Sequence, residues 1–156
     1  MTTAEYNLCV DEHADGVFRF ILKNIKDEEK ARDVVQDTFA KMWEKVHEVS
    51  HQKAKSYLFT AAYHTMIDRI RKDKRQTSFD EVSYDKASEE QPYSGAKEII
   101  DEALEKLPGT QRSALLLRDY EGYSYKEISR HMNIPIGTVK SRIHLGKKQI
   151  RSVYEA

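Results

Sequence analysis

Apolar residues recur at helical spacing along most of the chain. Between Asp11 and Arg75 the pattern is helical throughout, and Val17, Phe18, Ile21, Leu22 and Ile25 form the first stripe. "KDEE" breaks it, with Asp27 placed as the N-cap of a second helix. Ala31, Val34, Val35, Phe39, Met42, Trp43 and Val46 form a second stripe, followed by the polar stretch "HEVSHQKAKS". The third is Tyr57, Leu58, Ala61, Ala62, Thr65 and Ile70, widened by Met66 and Ile67. No segment sustains the period-two alternation of a half-buried strand, so no sheet is expected. After Arg75 the periodicity stops. "QTSFDEVSYDKASEEQPYSGAKE" mixes Ser, Pro, Gly and acids and reads as a linker. A second helical region begins near Ala96, with Ile99, Ile100, Ala103, Leu104 and Leu107 on one face, and Pro108-Gly109 ends it. Thr110 is expected to cap the next helix, which carries Ala114, Leu115, Leu116 and Leu117 and is closed by Glu121-Gly122.

The segment after Gly122 carries the most information. Ser124 followed by Glu127 has the spacing of a capping box, opening a short helix with Ile128 and Met132 inward. "NIP" is the turn: Asn133 tolerates a left-handed conformation, and Pro135 suits the first turn of a new helix. That helix is expected to pack through Ile136, Val139, Ile143 and Ile150. Two short helices, a tight turn and apolar positions spaced to pack them are the pattern of a helix-turn-helix. The second helix presents Gly137, Thr138, Lys140, Ser141, Arg142, His144, Lys147 and Lys148 on its other faces. Small residues at its N-terminus permit close approach to a phosphate, which the helix dipole favours. Lys140 and Arg142 have the reach for base edges or phosphates in a major groove. The bland alternative is a solvated basic helix.

Composition sharpens this picture through charge. The 156 residues hold 26 Lys and Arg against 26 Asp and Glu, so the net charge is zero. The charges are nevertheless segregated. From Phe79 to Glu105 nine acids (Asp80, Glu81, Asp85, Glu89, Glu90, Glu98, Asp101, Glu102, Glu105) stand against two bases, Lys86 and Lys97. At the end of the third stripe, Arg69, Arg71, Lys72, Lys74 and Arg75 form a basic end near Tyr57, Phe59 and Tyr63. Cations interleaved with aromatic rings suit separated nucleic-acid strands, the cations following the backbone and the rings stacking on bases. The alternative is that Tyr57 and Phe59 are core and the cations solvate a helix C-terminus. Asp33 and Asp37 share a helix face with Gln36 beside them, a like-charge pair that slightly destabilises the helix. Such a pair points to a partner bearing bases; the alternative is a solvated face. No apolar run is long enough to span a membrane. The acidic N-terminus lacks the form of a signal peptide, and the lone Cys9 excludes an intrachain disulfide. A cytoplasmic location is expected.

"LPGTQRSALLLRDYEGYSYKEISRHMNIPIGTVKSRIHLGKKQIR" resembles region 4 of the extracytoplasmic-function (ECF) sigma factors of bacterial RNA polymerase, and "GYSYKEIS...IPIGTVKSRIH" is its most specific part. "ARDVVQDTFAKMWEK" resembles region 2.2, and "SYLFTAAYHTMIDRIRKDKR" resembles regions 2.3 to 2.4. The resemblance implies an all-α fold of two small helical domains. These are region 2, residues 1–75, and region 4 with its helix-turn-helix, residues 96–156, joined by a flexible acidic linker, residues 76–95. It implies core RNA polymerase and promoter DNA as partners, with an anti-sigma factor usual in the family, and no cofactor. Carried over residue by residue, Asp33, Gln36, Asp37, Phe39 and Trp43 would meet the clamp helices of the largest polymerase subunit, although most of the Phe39 and Trp43 surface is expected in the core. Tyr57, Tyr63, His64, Arg69, Arg71 and Lys72 would bind the −10 element, and the "HEVSHQKAK" loop would receive a flipped base. Arg118 and Tyr125 would join Gly137, Thr138, Lys140, Ser141, Arg142, His144, Lys147 and Lys148 at the −35 element.

Four positions depart from the family pattern. Tyr57 replaces the usual Trp, His64 stands where Asn is common, and Thr60 where Arg is common; these bear on −10 preference rather than on role. Leu145 replaces an Arg that touches −35 phosphates in many members, which implies weaker or shifted contacts there. The linker would thread the channel by which nascent RNA leaves, its charge keeping the unbound protein off DNA; an ordinary solubilising tether is the alternative.

Catalysis is not expected. His47 and His51 have metal-ligand spacing only if helical, with no third ligand evident nearby. No phosphate-binding loop or catalytic triad pattern occurs. Two rivals stand beside the sigma-factor reading. An autonomous helix-turn-helix regulator leaves "DVVQDTFAKMW" unexplained, and a hydrolase built on His47 and His51 leaves the C-terminal motif unexplained.

Overall fold

A computed structural model describes residues 1–74 and 96–155. The described residues are helical, in the order α1 (Thr3–Ile25), α2 (Glu28–Glu44), a 3-10 turn (His51–Lys53), α3 (Ala54–Lys74), α4 (Ala96–Lys106), α5 (Gly109–Asp119), α6 (Tyr125–Met132) and α7 (Ile136–Glu155). The chain divides into two compact units. The first carries α1–α3 and the second carries α4, α5, α7 and the start of α6. The linker expected over residues 76–95 lies outside the described residues.

α1 begins well before the expected Asp11. Thr2 accepts from Glu5 N while the Glu5 carboxylate accepts from Thr2 N, a complete capping box. These backbone and hydroxyl bonds hold the Glu5 carboxyl below its ordinary range. α1 ends at Lys26, whose left-handed backbone (φ 52°) sends its N–H to Leu22 O. Asp27 then caps α2 by accepting from Lys30 N, as expected, so the corner between the two helices needs only two residues. Val17, Phe20 and Ile21 of α1 are buried, as are Ala31, Val34, Phe39 and Met42 of α2, and Leu58, Phe59, Ala62 and Met66 of α3. Phe20 meets Phe59 edge to face at 5.5 Å.

In the second unit, α4 contributes Ala103, Leu104 and Leu107, and α5 contributes Ala114 to Leu117. Pro108, not Thr110, is the N-cap of α5; it supplies no side-chain bond, and Pro108-Gly109 opens this helix rather than merely ending α4. The corner is closed from inside. Arg112 is 1% exposed and donates from Nη1 to Leu107 O at 3.0 Å and Glu105 O at 3.4 Å, meeting carbonyls at the end of α4. Gly122 (φ 75°) makes the left-handed turn before α6. α6 opens with the expected capping box: Ser124 Oγ accepts from Glu127 N, and Glu127 Oε1 accepts from Ser124 N. Asn133 (φ 56°, ψ 52°) ends it in the left-handed region, as the "NIP" turn requires. α7 buries Val139, Ile143 and Gly146. A Cβ on Gly146 would lie 3.6 Å from Leu107 Cδ1, an ordinary van der Waals contact, so α7 packs on the α4–α5 corner without requiring a glycine here.

Three apolar residues expected inward are exposed: Trp43 by 46%, Ile136 by 44% and Ile99 by 43%. Ile136 and Ile99 lie in the first turns of α7 and α4, at the edge of what each helix covers. Trp43 instead stacks edge to face on Tyr6 of α1 at 4.9 Å, leaving half its indole in solvent.

Candidate functional site

The acidic face of α2 forms because Val34, Thr38 and Met42 turn inward, leaving Asp33, Gln36, Asp37 and Ala40 on other faces. Phe39 is buried and Trp43 is exposed, so of the two aromatics only Trp43 offers a large surface. The acids have a cationic neighbour within the unit. Arg69 Nε donates to Asp37 Oδ2 at 3.1 Å, Nη2 bonds the same oxygen, and Nη1 lies 3.9 Å from Asp33 Oδ2. These contacts, the Asp37 bond first, hold the Arg69 proton more tightly still. The family resemblance sets Arg69 with the −10 group and the aspartates with the polymerase group; the fold brings the two together.

Along α3 the aromatics separate. Phe59 and Tyr63 are buried, and Tyr57 is half-buried, its phenol pushed up by desolvation. His64 is half-buried and meets Tyr63 edge to face at 5.4 Å. Arg71 and Lys72 are exposed. Phe59 and Tyr63 therefore lie in the core, Tyr63 contrary to its expected place at the −10 element, whereas Tyr57, His64, Arg71 and Lys72 keep solvent-facing surface. Before α3, Val46 and Val49 anchor the "HEVSHQKAK" loop, and His47, Gln52 and Lys53 stand exposed. His47 lies in the turn and His51 begins the 3-10 segment, so the pair does not share a helix face. No group of three metal-ligating side chains occurs among the described residues.

On α7, Gly137, Lys140, Ser141, His144 and Lys148 are exposed and recur at the spacing of one helix face, opposite Val139, Ile143 and Gly146. Thr138 and Arg142 are half-buried at its edge. Lys147 turns toward α5 and pairs with Asp119 at 3.6 Å. Arg118 at the end of α5 donates to Tyr123 O at 3.0 Å, and its guanidinium lies 4.6 Å from the Tyr125 ring centre. Lys140 Nζ lies 5.9 Å from the same ring. Tyr125 thus gathers cations from α5 and α7 by cation–π attraction. Leu145 is exposed beside this face.

The Sigma-70 region 2 profile matches residues 9–76, and the Sigma-70 region 4 profile matches residues 97–150. Those two regions define a class, the sigma-70 proteins. The ECF RNA polymerase sigma factor SigL of Mycobacterium tuberculosis is 30% identical over 90% of this chain and 84% of its own length. The ECF RNA polymerase sigma factor SigM of Bacillus subtilis is 29% identical over 91% of this chain and 90% of its own. Among solved structures, the sigma factor RpoE of Bartonella quintana, in complex with the anti-sigma factor NepR, shares the fold with a TM-score of 0.77, at 24% identity over 97% of each chain. The chain belongs to the ECF RNA polymerase sigma factors. No described helix is long and apolar enough to cross a membrane.

Proposed function

We propose that this sigma factor docks on core polymerase through the α2 face carrying Asp33, Gln36, Asp37 and Trp43, with Phe39 supporting that face from the core. Region 2 then engages the −10 element with Tyr57, His64, Arg71 and Lys72, and the loop ending at Lys53 takes up an unstacked base. Region 4 reads the −35 element with the exposed row of α7, while Arg118 and Tyr125 serve the adjacent phosphates. Lys147 has a lesser share, because Asp119 already engages it. The domains are residues 1–75 and 96–156, with residues 76–95 as tether. The polymerase performs the chemistry and this chain supplies address and strand opening, which places it in the cytoplasm. An anti-sigma factor, the class of partner held by the Bartonella relative, is the expected inhibitor.

The observation that carries this reading is the row Gly137, Lys140, Ser141, His144 and Lys148, exposed on a capped helix-turn-helix whose opposite row is buried. Run-off transcription with purified core polymerase on genomic fragments tests it. Discrete transcripts that require both proteins are expected. Sequence-specific DNA binding with no core-dependent transcription would favour an autonomous regulator instead.

A further inference from the structure

α2 and α3 meet along a polar ladder. Lys30 Nζ lies 3.4 Å from Asp73 Oδ2, Arg69 spans Asp33 and Asp37, and Lys41 donates to Thr65 Oγ1 at 2.7 Å. Its partners advance along α2 as they retreat along α3, so the helices run antiparallel and the Arg69 guanidinium lies across the acid pair. Both its contacts fall on Oδ2 atoms. The cluster is open to solvent: the side chains of Arg69, Asp37 and Asp33 are 39%, 46% and 58% exposed.

We propose that Arg69 is an affinity-determining residue for polymerase docking, an internal occupant of the acidic face that competes with the basic groups of the incoming subunit. This rests on the reading that Asp33 and Asp37 dock. The physics of the pair favours exchange. Two carboxylates at i, i+4 repel each other, and a single guanidinium relieves that repulsion in the unbound protein. An exposed ion pair contributes little net stability, because water screens it and ordering two side chains opposes it. The same carboxylates attract a partner's cations more strongly once the interface excludes water. Docking therefore trades a weak internal contact for a stronger external one, and Arg69 works against affinity by halving the net charge of the pair. Once displaced, Arg69 lies on the same helix as exposed Arg71 and Lys72 and can join them toward the −10 strand.

The test is titration of the full-length protein with core polymerase, without promoter DNA, across a salt series. Arg69→Met should tighten binding by about three- to tenfold and steepen its salt dependence. Arg69→Lys, which keeps a cation over the acids, should bind close to wild type. Asp37→Asn should weaken binding. Arg69→Gln repeats the measurement should the Met variant melt early. If Asp37→Asn weakens binding but both uncharged Arg69 variants bind as wild type or worse, Arg69 does not compete, and this inference falls while the docking face stands. If Asp37→Asn binds undiminished, the docking face itself is misassigned, and this inference falls with it.

Discussion

Arg112 and Arg69 show the two units solving the same electrostatic problem in opposite ways. Arg112 is almost wholly buried, and its partners include backbone carbonyls at the end of α4. Its Nη1 bonds hold the guanidinium at the α4–α5 corner although Nε makes no hydrogen bond there, so this residue is committed to the fold. Arg69 sits at the surface over two carboxylates, where little is lost if another cation takes its place. The difference teaches where function can reside. A side chain that closes a helix corner cannot be spared for a partner, whereas one in a screened, exposed pair can be.

The widest gap between the two arginines should appear in stability. Arg112→Met should cost region 4 about 2–4 kcal/mol, because it leaves buried carbonyls without their donor. Thermal unfolding of the full chain would show this, while Arg69→Met should fall within about 1 kcal/mol of wild type. Equal losses would erase the distinction. Next in size is the −35 face. Lys140→Ala should weaken −35 binding by about 1–3 kcal/mol if it reaches a base edge, and alike for all sequences if it meets only phosphate. Tyr125→Leu should produce part of that loss and Tyr125→Phe little of it, since Phe keeps the π face near Arg118 and Lys140. Electrophoretic shifts on matched and scrambled −35 duplexes separate these outcomes. Smallest is the cap: Ser124→Ala should cost about 1 kcal/mol, read as a lowered unfolding midpoint.

How much of the structure was legible in the sequence depends on the range of each interaction. The Asp27 cap, the Ser124–Glu127 box and the left-handed Asn133 are decided within a few residues, and all three are present. The Thr2–Glu5 box is equally local, written in "TTAE", but it precedes the apolar stripe that starts near Val17 and so lies outside the periodic signal. Without that early start of α1 there is no Tyr6 for Trp43 to stack on, so Trp43 looked like core. Periodicity places Ile99 and Ile136 on an apolar face but does not say whether a neighbour covers a first turn. The Asp37–Arg69 contact joins residues 32 apart, and no local signal announces it. The recognition face of region 4 lies largely within one helix and could be read directly. The region 2 site is assembled from two, and its key pairing could not.

The central claim is that the α2 acids dock polymerase while α7 separately addresses DNA. Lysines at Asp33 and Asp37 would face Arg69 and strain the α2–α3 seam, so Asp33→Asn with Asp37→Asn is the cleaner choice. Binding of this full-length double variant to core polymerase, measured beside its binding to a −35 duplex, is the decisive comparison. The account predicts a roughly tenfold or greater loss of polymerase affinity, with −35 binding and the circular dichroism spectrum unchanged. Undiminished polymerase binding by a folded double variant would contradict it.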